Sequence, residues 1–265
     1  MKKVAVLLSL CMFLAISCKE EKEEECNDEI RLLEAIISSD SSIYRKFEYD
    51  EQNRITRMLT FTDGYELSSM FIYSGDELIK VVSDDFYYMG SNEYFFEKDG
   101  YEVEFTKSEN KIIFTEKYNR FSDGVNTVTL DLDSVGYPSG INPGGMSGRS
   151  YSVMNDNLTN YNVWGFSSQG AGTSTERKYN YQYDNKKSIF YDCKTPRWYL
   201  IYAFGELGSK NNVTEIDNKG YNYYGSYRTI TKIEYEYDCA GFPIKKSEND
   251  GTDKTVTTFK YKHNF

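Results

Sequence analysis

One histidine, 41 acidic residues and two tryptophans set the chemistry this 265-residue chain can attempt. His263 stands two residues from the carboxyl terminus. A Ser-His-Asp or Cys-His system needs its imidazole held between a nucleophile and an orienting acid, and a strand-end position offers neither. With a single histidine and no CxxC there is no Cys/His zinc pattern, and no D-x-[DN]-x-[DN]-G calcium loop occurs. Two carboxyls facing one another could hydrolyse a glycosidic bond, and Asp131 with Asp133, or Glu234 with Glu236, share a strand face by spacing. So many acids produce such pairs on any solvated sheet face, and that reading is adopted: no catalytic residue, metal or cofactor is assigned. Sugar binding needs an exposed ring beside amides or acids. Trp164, in Asn160-Tyr161-Asn162-Val163-Trp164, and Trp198, in Thr195-Pro196-Arg197-Trp198-Tyr199, supply it, so Trp164, Trp198, Tyr161 and Tyr199 are the candidate ligand contacts. The competing role for both tryptophans is structural, plugging the sheet or covering its open end. The apolar run Trp198–Phe204 reads as such a plug or as a short helix over the core.

The elements that must position these residues are strands. From residue 41 onward the hydrophobic period is two, as in Ile55–Phe61, Val125–Asp133, Tyr179–Tyr183 and Ile233–Tyr237. Turn formers separate the runs: Asp63-Gly64, Ser74-Gly75-Asp76, Asp99-Gly100, Asp123-Gly124 and Asp250-Gly251. Asp84-Asp85 reads as a further turn. The segments 136–148 and 165–172 read as long glycine-rich loops, and the first lacks the Gly-Lys-Ser/Thr ending of a phosphate loop. Residues 29–38 fit a helical face through Ile30, Leu33 and Ile37 and equally a first strand; the strand is preferred because hairpins follow. Aromatic residues make up 16%, as 25 Tyr and 16 Phe against 2 Trp, which suits pleated, half-wet surfaces. The spacing predicts an all-β antiparallel meander of about a dozen strands, rolled into an open or closed barrel-like sheet, soluble rather than membrane-embedded. A formal charge of −10 argues against nucleic acid, whose phosphates need a basic footprint.

A turn grammar half-repeats along the chain. Phe47-Glu48-Tyr49-Asp50 with Asn53-Arg54, and Tyr235-Glu236-Tyr237-Asp238 with Gly241-Phe242-Pro243, share it; Tyr181–Asp184 and Leu130–Pro138 are partial copies. Two aromatics lie on one strand face, Asp caps the turn with its carboxylate, and Asn or Gly takes a left-handed position.

Residues 1–17, with Lys2 and Lys3 before an apolar run from Val4 to Ile16, read as a signal peptide too short to span a membrane comfortably. Ala15-Ile16-Ser17-Cys18 resembles the lipobox of bacterial lipoproteins, which implies acylation of Cys18. Residues 18–27, rich in Lys and Glu, form a tether. They also resemble the signal that sends Bacteroidota-type lipoproteins to the outer face of the outer membrane. Of the remaining cysteines, Cys193 with Cys239 is a plausible disulfide that spacing does not establish, and free thiols are the default.

Residues 28–265 read as a single domain. Its hairpins look like the tyrosine-aspartate repeats of Rhs-type shell proteins. More closely, the domain resembles a group of Bacteroidota lipoproteins of unknown function with a porin-like rolled antiparallel sheet. The resemblance rests on Phe47–Asp50, on Tyr183–Phe190, on Glu206–Thr214 with its Ser209-Lys210-Asn211-Asn212 element, and on Tyr235–Pro243. It implies fold and location and carries no catalytic residues. The expectation is a surface-exposed protein on the outer membrane, held by a lipid at Cys18. It binds a glycan or an envelope protein without catalysis; the alternatives are a structural envelope protein with no small ligand and a carboxylate-pair hydrolase.

Overall fold

The computed structural model describes residues 29–39, 42–62, 64–88, 94–118, 125–141, 147–166, 174–222, 225–251 and 254–263. The leader, Cys18 and the tether lie outside the described residues. Strands β1 (Arg31–Ile37), β2 (Ile43–Tyr49), β3 (Ile55–Thr62), β4 (Tyr65–Ser74), β5 (Glu77–Tyr88), β6 (Tyr94–Ser108), β7 (Lys111–Tyr118) and β8 (Val125–Leu132) follow one another up and down. They continue as β9 (Pro138–Ile141), β10 (Gly148–Met154), β11 (Asn157–Phe166), β12 (Ser174–Tyr183), β13 (Val213–Asn222), β14 (Gly225–Tyr237), β15 (Pro243–Asn249) and β16 (Lys254–His263). Each strand pairs antiparallel with its neighbour in sequence, and β1 pairs with β16, so the described strands close into a sixteen-stranded barrel. The expected meander is present, closed, and with more strands than the dozen expected. Residues 31–37 form the strand preferred over a helix.

Alternation places the core inside the barrel. Phe47, Ile55, Phe71, Val103, Phe105, Ile112, Phe114, Leu130 and Phe259 are buried, while the outward positions between them carry charged, polar and some apolar side chains, Met70 and Ile72 among the exposed ones. Those outward charges pair across strands: Lys80 lies 2.5 Å from Glu102, Lys117 3.3 Å from Glu102, Arg228 2.8 Å from Asp217 and Lys245 2.6 Å from Glu236. A barrel wall in hydrocarbon needs an apolar outer band. On this wall the ion pairs stand among exposed apolar side chains such as Met70, Ile72 and Ile230.

The repeated turns lie at one end of the barrel, and their chemistry is the one the spacing predicts. The Asp50 carboxylate accepts the N–H groups of Gln52 and Arg54 at 3.0 and 2.9 Å, and Asp133 accepts those of Val135 and Tyr137, both at 2.9 Å. Asp238 accepts from Phe242 at 3.0 Å. Asn53, Gly136 and Gly241 hold the left-handed positions, with φ of 64°, 94° and 82°. A register shift precedes each of these turns, and neighbouring tyrosines brace that end of the sheet. Tyr49, Tyr73, Tyr183 and Tyr261 donate to the carbonyls of Leu33, Ile55, Leu158 and Pro243 at 2.6–2.9 Å.

Three turn assignments differ from expectation. Asp84 and Asp85 lie within β5, and Asp99-Gly100 lies within β6. The register between these strands shifts at Ser83/Asp85, Asp99 takes a φ of 52°, and the Asp84 carboxylate accepts the N–H groups of Asp99 and Ser68 at 3.0 and 2.7 Å. The hairpin signal is spent on a bulge, which calls for the same residue types as a turn. The glycine-rich stretch 136–148 contains β9 and the first residue of β10, because Gly140 pairs with both Asp131 and Ser150. Residues 142–146 and 167–173 lie outside the described residues.

The connection between β12 and β13, residues 184–212, enters the barrel and fills the end that carries the turns. Its helix α1 (Arg197–Phe204) is apolar nearly all round, as a helix surrounded by core must be. Phe190, Leu200 and Ile201 are buried within the barrel core, each stabilising the packed state by about 1.5–3 kcal/mol. Polar groups stitch the plug to the wall. Ile55 N–H donates to Thr195 Oγ1 at 2.8 Å, and Lys194 N–H donates to the Asn53 carbonyl at 2.9 Å. The Ser-Lys-Asn-Asn element serves the same purpose: Leu158 N–H donates to Ser209 Oγ, Lys210 N–H to the Asp156 carbonyl, and Asn211 N–H to Asn157 Oδ1, at 3.0, 3.0 and 2.9 Å.

The plausible Cys193–Cys239 disulfide does not form. Cys193 is a free thiol held among core side chains by the plug, whereas Cys239 is disulfide-bonded to a partner outside the described residues. The default of free thiols therefore holds at Cys193 and fails at Cys239. Burial pushes the Cys193 thiol up from its ordinary range, partly opposed by a hydrogen bond with Thr195. In the folded protein a maleimide is expected to leave the Cys193 peptide unmodified for hours and to label it fully in urea, as read by mass spectrometry. Fast labelling of the folded protein would contradict the buried placement.

Candidate functional site

Beside the plug, the inward positions of β10, β11 and β12 carry a run of tyrosines. Tyr151 on β10 lies opposite Tyr161 on β11, and Tyr161 lies opposite Tyr179 on β12, with Tyr181 two residues further on the same face. Cross-strand neighbours on one face sit close enough for their rings to meet. The result is a ladder with ring centroids 5.1 Å apart for Tyr151–Tyr161, 5.8 Å for Tyr161–Tyr179 and 6.4 Å for Tyr179–Tyr181. These tyrosines wall a cavity of about 280 Å³ whose floor is Ile201, Tyr202, Gly205 and Glu206 from the plug. A neighbouring compartment of about 330 Å³ shares Tyr202 and adds Glu116, Val128, Arg149 and Trp164.

Electrostatics differ between the compartments. Burial raises the hydroxyl pKa of Tyr151, Tyr161 and Tyr181, so they remain neutral hydrogen-bonding groups. Arg149 hydrogen-bonds with Tyr151. Glu116 accepts from Tyr101 Oη and Asn126 Nδ2, each at 3.0 Å. Glu206 is partly buried, and desolvation raises its carboxyl above the usual range; its own backbone N–H is the hydrogen bond it keeps. Ring faces, neutral hydroxyls and isolated charges in one recess suit an amphipathic, hydroxyl-rich ligand.

The four candidate contacts divide into two pairs. Tyr161 stands in the ladder, and Trp164 borders the second compartment with its ring over Gly148, where any side chain would collide with the indole. Trp198 and Tyr199 belong to α1. Tyr199 is buried, 5.6 Å from Phe71 and 5.7 Å from Phe105 by ring centroids. Trp198 packs on Phe105 and Phe114 at 5.4 and 6.3 Å, and borders a recess of about 410 Å³ with Asp76, Lys107 and Lys194. Both therefore sit on the plug helix, with Trp198 also on the edge of that recess. The carboxylate pairs do not converge: Asp131 faces Lys111 at 3.7 Å while Asp133 caps a turn, and Glu236 pairs with Lys245. His263 closes β16.

Tyr151, Tyr179, Tyr181, Arg149 and Glu206 are site residues that sequence reasoning missed. Tyr179-x-Tyr181 was visible as an alternating face. Nothing local announces that Tyr151 is its neighbour across two strands, or that Glu206 lines the same recess.

No family model matches the chain, and no curated protein matches it. Among solved structures, it is similar to a porin-like protein from Bacteroides uniformis, with 11% identity, a TM-score of 0.37, and coverage of 77% of this chain and 94% of that one.

Proposed function

We propose that this is a lipid-anchored, surface-exposed envelope protein that binds a glycan, without turnover, in the lumen above its plug. The observation that carries the reading is the tyrosine ladder over a recess with the Glu206 carboxyl at its floor. Sugars present apolar faces and a rim of hydroxyls, and stacked rings with neutral Oη groups complement both. The plug supports a dead-end recess over a through-channel, because α1 and Phe190 fill the far end of the barrel. The lipobox at Cys18 and the charged outer wall support a domain held above a membrane by lipid.

The test is a glycan panel with the full-length chain in mild detergent. At least one oligosaccharide is expected to bind, with affinity falling at least about tenfold when Tyr161 and Tyr179 are both replaced by alanine, as loss of two ring contacts implies. A panel with no binding, or binding indifferent to both replacements, overturns the reading. In cells, Cys18→Ser is expected to release the protein from the membrane fraction, and retention there would refute the anchor.

A further inference from the structure

We infer that the ligand of the tyrosine-lined recess carries a positively charged amino group, and that Glu206 receives it. This deepens the lumenal reading and rests on it. Among the described residues, the formally charged side chains that border the two compartments or stand beside Glu206 are Glu116, Arg149, Lys246 and Glu248. Lys246 is matched by Glu248, with Nζ 2.9 Å from Oε1. Arg149 and Glu116 share the larger compartment, the first bonded to Tyr151 and the second to Tyr101 and Asn126. Glu206 is the acid left over. Among the described residues no cation pairs with it and no side-chain donor is shown to reach it.

The surroundings favour a cation as its partner. Aromatic faces carry negative charge density and attract ammonium groups within about 6 Å, and the faces of Tyr161, Tyr179 and Tyr181 line the same recess. The titratable groups facing Glu206 are Tyr181 and Tyr183 from β12, Tyr235 from β14, Lys246 and Glu248 from β15, and Tyr202 from α1. Burial pushes Tyr181, Tyr183 and Tyr235 up and so holds them neutral, while Lys246 and Glu248 already answer one another. Burial also raises the Glu206 carboxyl, with Glu248 adding to that effect and Lys246 opposing it. An arriving ammonium therefore favours the carboxylate form of Glu206 and makes a carboxylate-ammonium contact with it inside the recess.

The test compares glucosamine oligomers with N-acetylglucosamine oligomers of the same length, alongside tetramethylammonium, by calorimetry on the full-length chain. The free-amine oligomer is expected to bind at least about tenfold more tightly, a preference that disappears in Glu206→Gln as the charged contact is lost. Tetramethylammonium, whose charge does not titrate, is expected to bind more tightly as pH rises and Glu206 gives up its proton. Equal or better binding of the acetylated oligomer, or a preference that survives Glu206→Gln, overturns the inference and leaves the glycan reading standing. No binding of the amine oligomer or of tetramethylammonium, while another glycan binds through the tyrosines, also overturns the inference alone. If nothing binds at all, both fall.

Discussion

Asp184→Ala is expected to lower the unfolding free energy by about 3–5 kcal/mol, several times the effect of Asp133→Ala, although both residues end a strand with the same motif. At Asp133 the carboxylate accepts two N–H groups from its own turn. At Asp184 it accepts Lys186 N–H at 3.0 Å, Asn212 N–H at 3.1 Å, and the Tyr237 hydroxyl. Lys186 lies where the plug segment begins, Asn212 where it ends, and Tyr237 on β14, so one carboxylate holds both ends of a 29-residue insertion and a strand of the wall. Removing it leaves several donors short of a partner. Hydrogen bonds to a charged group contribute about 1.5–3 kcal/mol each, though not additively. Asp133→Ala is expected to cost about 1 kcal/mol, as loss of a local cap does. Urea or thermal melts measure both, with about 2–4 °C of Tm per kcal/mol for a chain of this size. Equal losses for the two variants would show that the Asp184 contacts do not secure the plug.

The second large effect lies inside the plug. Phe190 is 1% exposed and meets Phe47 of the wall at 5.4 Å and Phe204 of α1 at 5.0 Å. Phe190→Ala removes a ring from between the two and is expected to cost about 3–5 kcal/mol, the usual price of emptying a packed aromatic site. The same change should speed maleimide labelling of Cys193, since both belong to one buried cluster. A variant that loses stability while Cys193 stays protected would mean that the plug remains seated and the wall alone has weakened. Unchanged stability would show that plug and barrel do not form one core.

Much of the fold was legible because β structure writes itself locally. A period of two marks which face of a strand is buried, and Tyr-Asp followed by Asn or Gly marks a bulged turn whose geometry needs those residues. The apolar run 198–204 was readable as a plug because a helix with no polar stripe has nowhere to go but inside. What local patterns do not carry is pairing between distant strands. The Arg31–His263 and Leu33–Tyr261 register of β1 with β16 closes the barrel, yet neither segment says so. Strands were undercounted for a related reason: at Gly140 and Gly148 glycine serves the sheet by letting other groups approach. The site was half visible. Tyr161 and Trp164 were named from their neighbours, but the ladder depends on the register between β10, β11 and β12. Asp99-Gly100 carries the reverse lesson, since a correct local signal was spent on a bulge within a strand.

Closure of the barrel by its first and last strands has a consequence in time. Until β16 is in place, β1 and β15 are both open edges, each a row of unpaired N–H and C=O groups. The pairing that ends this state joins residues more than 220 positions apart, as in Arg31 with His263, so its loop-closure entropy is spent before the contact returns anything. A chain emerging amino terminus first thus carries an adhesive edge for almost its whole synthesis and loses it at the end. Loss of the last dozen residues should accordingly give oligomers joined edge to edge, because the missing partner of β1 is another strand, and β15 of a second molecule is one.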